Sequence, residues 1–310
     1  MAAGLSVSGL VVLSMMAYAR MTIAPTVAAL AAYPAAGMLL GGIRYRLRWP
    51  LSPFQMRARD FCEYVLLFTA ISLLGVIASY PMAKVLAGFA DARLAHADTL
   101  LHFDWVAWYK LVCAHRSLQW LGMAAYACIY VSPALLLGYF AYAGQRADAR
   151  RFLATFWLAA VMTLLLFPLF PAAGPLSFLW KGPIPYMPTS ALYQQQLIPV
   201  LRSHGLTRVD LGALRGLVCA PSFHTVCGVL YIVTAWPVRR LRWPLIGINA
   251  AMLLATPVEG THYLIDMLIG AAVAIVAILL IRAAMFYMPG PPAVPAALSP
   301  VLPALARADA

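Results

Sequence analysis

Seven apolar stretches, at about residues 21–43, 61–80, 118–141, 152–170, 221–238, 244–259 and 262–284, approach the 17–25 residues that cross a bilayer as a helix. An eighth, at 2–19, is borderline and lacks the basic start and small-residue cleavage site of a removed signal peptide. In lipid each backbone must satisfy its own hydrogen bonds, so such a chain folds as helices. The pattern predicts an all-α polytopic membrane helical bundle of eight spans, with seven as the alternative.

Composition agrees. The 310 residues are 64% hydrophobic and 10% charged, against about 25% charged in soluble domains. The formal charge of +12 invites a nucleic-acid reading. That reading fails, because Lys and Arg punctuate apolar segments rather than forming a stripe. Arg44, Arg46, Arg48, Arg57 and Arg59 crowd one connection, Arg146, Arg150 and Arg151 a second, and Arg239, Arg240 and Arg242 a third. With eight spans these share one side, expected to be cytoplasmic by the positive-inside rule. The Pro/Ala-rich tail, 288–310, joins them. We expect N-terminal membrane helices over 1–60 and a membrane core over 61–287.

The opposite face carries two long connections. In 81–117, Leu94, Ala97, Leu101, Trp105, Trp108 and Val112 recur at helical spacing, which reads as one interfacial amphipathic helix. It either caps the bundle or gates a substrate path. The connection 171–220 is proline-rich and carries Lys181, Arg202, Arg208 and Arg215. Long connections of this kind are often functional, and this one precedes His224, so we expect it to roof a site. Its cations bind either phosphate or anionic lipid; Arg215, Arg208 and Lys181 are the substrate-binding candidates.

Two histidines begin the last apolar stretches: Pro221-Ser222-Phe223-His224, and Gly260-Thr261-His262-Tyr263-Leu264-Ile265-Asp266. Ionisable groups in a span are costly and default to function. At helical spacing His262 and Asp266 share a face, so the carboxylate can orient the imidazole. His224 lies 38 positions before His262, room for one helix out and one back. The bland alternative is histidine as interhelical glue; the pairing, Asp266 and the adjacent Ser222 argue against it. Pro221 suits a first helical turn, with the amides of Ser222, Phe223 and His224 and the Ser222 hydroxyl forming a phosphate cradle. Glu259 either orients His262 or holds the turn, and Thr261 is a candidate N-cap. His96, His102, His115 and His204 read as interfacial or solvated. No C-x-x-C pair occurs among Cys62, Cys113, Cys128, Cys219 and Cys227, so a zinc signature is absent. A site from Cys219, His224, Cys227 and His262 is conceivable but unsupported. No metal or cofactor is expected.

These stretches resemble the type 2 phosphatidic acid phosphatase superfamily. Its Pro-Ser-Gly-His motif is matched with Phe223 for glycine. Its Ser-Arg, five residues, His, three residues, Asp motif is matched at His262 and Asp266, but Ala255 and Thr256 stand at Ser-Arg. Its Lys-x6-Arg-Pro motif is not found in the expected region. Pro221-Ser222-Phe223-His224, Gly260-Thr261-His262-Tyr263 with Asp266, and Phe170-Pro171 with Pro175 are similar to the inositol phosphorylceramide synthase-like branch. The resemblance covers roughly 60–290 and implies a six-helix core. It also implies His262 as nucleophile through a phosphohistidine, Asp266 as its orienter, His224 as general acid and base, and Ser222 on a phosphate oxygen. Another cation must replace the missing arginine.

The expected function is therefore a membrane lipid phosphotransferase or phosphatase. Phospholipid and lipid-alcohol substrates and the bilayer are its partners, and its site faces away from the cytoplasm. If the source is bacterial, that membrane is the inner one. Transfer of a phospho-head group is the leading reading, and hydrolysis of phosphatidic acid or another lipid phosphate the alternative. Of other classes, a proton-coupled transporter fits less well, since the ionisable cluster sits at one edge and no repeat is visible; intact His224, His262 and Asp266 argue against an inactive scaffold. Head group and oligomeric state are not set by these residues.

Overall fold

The computed structural model describes residues 2–24 and 27–287. The Pro/Ala tail lies outside them. Twelve helices occur among the described residues: α1 (Ala2–Tyr18), α2 (Val27–Arg46), α3 (Pro53–Val85), α4 (Asp91–Leu100), α5 (Trp105–Ala114), α6 (Arg116–Ala143), α7 (Arg146–Leu166), α8 (Pro175–Leu179), α9 (Tyr193–Arg202), α10 (Phe223–Ala235), α11 (Arg242–Glu259) and α12 (Leu264–Tyr287). The fold is a helical bundle of the polytopic kind, with a helix in each of the eight expected segments. By length and composition α3, α6, α7 and α12 can each cross a membrane, and α1 and α10 are shorter apolar helices.

The core lies among α3, α6, α7, α10 and α12, where Tyr64, Leu136, Phe140, Phe152, Phe156, Tyr231 and Ala274 are buried together. Their partners come from separate helices, so burying them orders the bundle. Buried Asn249 of α11 donates to Ser132 Oγ of α6 at 3.0 Å, a polar tie in an otherwise apolar contact. Local signals set helix ends. Ser52 caps α3, its hydroxyl accepting from Gln55 N, with Pro53 at the first helical position. Gly144 ends α6 at φ 69° and lets α7 turn straight back. The helix α3 also runs unbroken through residue 60.

The bundle has two chemically different ends. At one, Asp60 accepts from Arg59 at 2.8 Å and Arg146 at 2.6 Å, and Glu63 pairs with Arg44 at 2.9 Å. Two arginine-rich connections thus meet there. At the other, the 171–220 connection folds over the ends of α11 and α12.

Three expectations change. Residues expected to begin a span at 21 instead form a three-residue strand, β1 (Thr22–Ala24), paired in parallel with β2 (Arg208–Asp210). The α2 helix then starts at Val27. The 81–117 connection is two helices rather than one, broken where His102 takes φ 56°. Trp105 is buried in the protein: its indole Nε1 donates to Pro257 O at 2.8 Å. This segment caps the bundle: Trp105, Tyr109 and Val112 of its apolar stripe pack with Val258 of α11 and Leu176 of α8. The 171–220 connection is not plain loop, since it contains α8, α9 and β2.

Candidate active site

The α11 helix ends at Glu259, and the chain reverses over Gly260–Tyr263 before α12. His262 N donates to Pro257 O at 3.1 Å and Thr261 sits at φ 49°, which closes the turn. His262 therefore precedes α12, rather than lying in its first turn. The turn still brings His262 Nδ1 to 3.7 Å from Asp266 Oδ2, just beyond hydrogen-bond range. Contacts of this kind tighten once substrate is bound. Asp266, fully buried, also accepts from Tyr263 N at 3.1 Å.

Thr261 is not the cap of α12. That role falls to Asp98 of α4, whose two carboxylate oxygens accept from Leu264 N at 2.9 Å and Ile265 N at 2.8 Å. Burial pushes the Asp98 carboxyl up, and those two N–H bonds pull it back. Asp91, two turns earlier on the same buried face, accepts from the Tyr263 hydroxyl and from the amides of Ala173 and Gly174, each at 2.9 Å. Gly174 takes φ 97°, and a Cβ there would lie 2.8 Å from Thr261 O. One helix thus fixes both the His262 turn and the start of the roof.

His224 occupies the second position of α10. Ser222 is the N-cap of that helix: its Oγ accepts from Thr225 N at 3.3 Å, and its own amide donates to Asp266 O at 3.0 Å. Pro221 thus stands before the cap rather than in the first turn. The Ser222 amide is committed to α12, so it is not part of a phosphate cradle; the buried hydroxyl keeps one proton to give. Gly270 of α12 permits this approach, since a Cβ there would meet Ser222 O at 2.5 Å. His224 and His262 end with ring centroids 6.3 Å apart. On the other side of His224, Tyr126 of α6 stacks at 4.0 Å, its hydroxyl 3.1 Å from His224 Nδ1.

Glu259 does not orient His262. Its buried carboxylate accepts from the Tyr186 hydroxyl at 2.6 Å and from Thr189 N and Oγ1 at 3.0 and 2.6 Å, pinning the roof to the end of α11. Burial, then this carboxylate, holds the Tyr186 phenol above its usual range, so it stays a donor.

The structure thus brings together His224, His262, Asp266 and Ser222. The three predicted cations lie exposed on the roof. Lys181 is exposed, over Phe178; Arg208 is exposed on β2; Arg215 is exposed with its guanidinium 4.5 Å over Tyr193. Among the described residues none of the three hydrogen-bonds or pairs with the two histidines or Asp266. Thr256, at the missing arginine position, is buried with its hydroxyl given to Met252 O. Cys227 is in the apolar core, whereas Cys219 lies beside His262 and Asp266. Tyr126, Asp91 and Asp98 escaped the sequence reading, and Cys219 entered it only in a set with His224, Cys227 and His262. Spacing alone could have flagged Asp91 and Asp98, which lie on the Leu94 side of α4.

Helices long and apolar enough to cross a bilayer place the chain among integral membrane proteins. Residues 92–280 match the model of the family described as the PAP2 superfamily, more than half of the chain, and the protein belongs to that superfamily. Membership supports an enzyme of phosphoric-ester chemistry. The match begins in α4 and leaves α1, α2 and α3 outside. No curated protein and no solved structure matches the chain.

Proposed function

We propose that this protein is a lipid phosphotransferase of the inositol phosphorylceramide synthase-like kind, moving a phospho-head group onto a lipid hydroxyl. The alternative acceptor is water, which makes it a phosphatase for phosphatidic acid or a related lipid. The observation that carries the reading is the pairing of His224 with His262 across 6.3 Å, each ring backed by its own partner, Tyr126 and Asp266.

The steps follow from that arrangement. His262 Nε2 attacks phosphorus while Asp266 holds the proton on Nδ1. The bond from phosphorus to the leaving oxygen breaks, and His224 gives that oxygen its proton. A phosphohistidine remains on His262. His224, now neutral, takes the proton of the incoming hydroxyl, which attacks phosphorus and releases His262. The Ser222 hydroxyl and cations of the roof, with Arg215, Arg208 and Lys181 as candidates, carry the developing charge. No metal or cofactor takes part. The site faces away from the cytoplasm: the arginine-rich connections meet at the opposite end of the bundle. Pro221-Ser222-Phe223-His224 and the Gly260–Asp266 stretch support the branch assignment.

Purified protein is incubated with phosphatidylinositol plus ceramide, and separately with phosphatidic acid. A new phospholipid supports transfer; free phosphate alone removes it in favour of hydrolysis. Radiolabelled phosphate should be trapped on the wild type and not on His262→Ala. Activity surviving both His224→Ala and His262→Ala overturns the mechanism.

A further inference from the structure

Cys219 is the group at this site to which phosphotransfer gives no task. It is fully buried, and its Sγ lies 4.0 Å from His262 Nδ1, 3.6 Å from Asp266 Oδ2 and 3.7 Å from Thr261 O. With His262 Nδ1 to Asp266 Oδ2 at 3.7 Å, the three side chains form a nearly equilateral triangle. All three ligand atoms lie within 4.8 Å of one another. A tetrahedral zinc ion binds sulfur at about 2.3 Å and nitrogen or carboxylate oxygen at about 2.0–2.2 Å. At tetrahedral angles such bonds hold their ligand atoms about 3.4–3.6 Å apart. Each observed edge is longer by a few tenths of an ångström at most, within reach of small side-chain rotations. A second observation points the same way. Asp266 Oδ1 is buried and has no hydrogen-bond partner among the described residues, which is costly unless something pairs with it. Thiolate, imidazole and carboxylate together suit a borderline-soft divalent ion.

We propose that Cys219, His262 and Asp266 form a binding site for a thiophilic divalent cation of the zinc type, whose occupancy switches the protein off. On binding, the Cys219 thiol gives its proton to solvent and the sulfur bonds the metal. His262 Nδ1 donates its lone pair to the metal, and the ring proton moves to Nε2. The Asp266 carboxylate bonds the metal instead of the Nδ1–H group, and water takes the fourth position. No electrons are transferred. With its proton on Nε2, His262 has no lone pair there to attack phosphorus; this inhibitory clause rests on the proposed function.

Cadmium is the probe, because a thiolate–cadmium bond has an ultraviolet charge-transfer band that reports binding without any assay of activity. Detergent-solubilised full-length protein is titrated as wild type, as Cys219→Ala, as Cys219→Ser, and with Cys62, Cys113, Cys128 and Cys227 all changed to alanine. The wild type and the variant keeping only Cys219 should give the band with one cadmium per chain, and zinc should compete it away. Both Cys219 variants should lose the band, and zinc should inhibit them about tenfold less effectively than the wild type, compared as activity with and without metal. Cys219→Ser covers the case in which alanine disturbs folding. No band in the wild type, or a band that persists without Cys219, overturns the site. A band in a protein that shows no phosphoryl chemistry when free of metal leaves the site standing and removes the phosphotransfer reading instead.

Discussion

Tyr126 and His224 lie face to face, their planes 15° apart, with the phenol 3.1 Å from His224 Nδ1. They come from α6 and α10, 98 residues apart in sequence. A hydroxyl can donate to a bare ring nitrogen or accept from a protonated one. With Nε2 facing the reacting oxygen and exchanging its proton, Nδ1 keeps its hydrogen in both halves of the acid–base cycle and donates to the phenol throughout, which holds His224 in one orientation. Tyr126 is a positioning residue on this view. Tyr126→Phe keeps the stack and removes about 0.5–1.5 kcal/mol of hydrogen bonding. The turnover number should fall roughly 2- to 12-fold with KM little changed, and the pH–rate profile should move. A variant with an unmoved profile and an unchanged rate would show that the phenol only packs.

Gly260 has ordinary backbone angles, so its need for glycine is one of space. A Cβ there would lie 2.6 Å from His262 Cδ2, 2.9 Å from Thr256 O and 3.1 Å from the Tyr126 hydroxyl. Gly260→Ala must push the His262 ring or the end of α11 aside. Misplacing a reacting group by about 1 Å costs on the order of 100-fold in rate. Gly247→Ala in α11 is the control, since nothing lies within 4 Å of the added methyl. It should leave the rate alone and stabilise the helix by about 0.5–1 kcal/mol. Steady-state rates and thermal unfolding of the two variants, measured together, separate these effects.

Asp98 caps a helix to which it does not belong. Asp98→Ala leaves two α12 amides without acceptors and should cost about 1–2 kcal/mol, with further loss of activity because those amides adjoin His262. Its charge carries a pH signature. Burial outweighs the two N–H bonds, so the folded carboxyl titrates above its ordinary value of 3.8. An acid raised on folding favours the folded state most when protonated, and that contribution fades as pH rises through the folded value. The wild type should therefore lose, as pH rises above the ordinary carboxyl value of 3.8, a part of its thermal stability that Asp98→Asn does not lose. Identical pH slopes in the two proteins would contradict this.

The roof is pinned at Glu259. Glu259→Gln replaces a charged acceptor of three hydrogen bonds by a neutral amide. Limited proteolysis should cut the stretch around Tyr186–Ser190 faster in this variant, and KM should rise more than the turnover number falls. Cleavage at the wild-type rate would mean that α5 and α8, rather than Glu259, hold the roof.

Much of this was legible in the chain itself. Apolar length placed the helices, because lipid leaves a spanning backbone no other way to satisfy itself. His224, His262 and Asp266 stood out because charge is rare in such segments, and the structure brings them together. The ends of elements were less legible. Pro221 and Thr261 carry familiar helix-start signals, yet α10 is capped by Ser222 and α12 by a remote aspartate, since a cap needs only a nearby acceptor and not a neighbour in sequence. Trp105 looked like an interfacial anchor, but Pro257 O offered its indole a buried acceptor.

By itself the sequence determined the solvent of this protein, the rough position of its apolar helices, and the few groups able to do chemistry. These follow from local length, periodicity and the cost of charge in lipid. Tertiary structure decided which partners those groups have: Tyr126 for His224, Cys219 and Asp266 for His262, Asp98 and Asp91 for the turn between α11 and α12. Those choices depend on close approaches permitted at Gly260, Gly174 and Gly270. The missing Cβ that permits each approach is visible in one dimension, but the atom it makes room for is not.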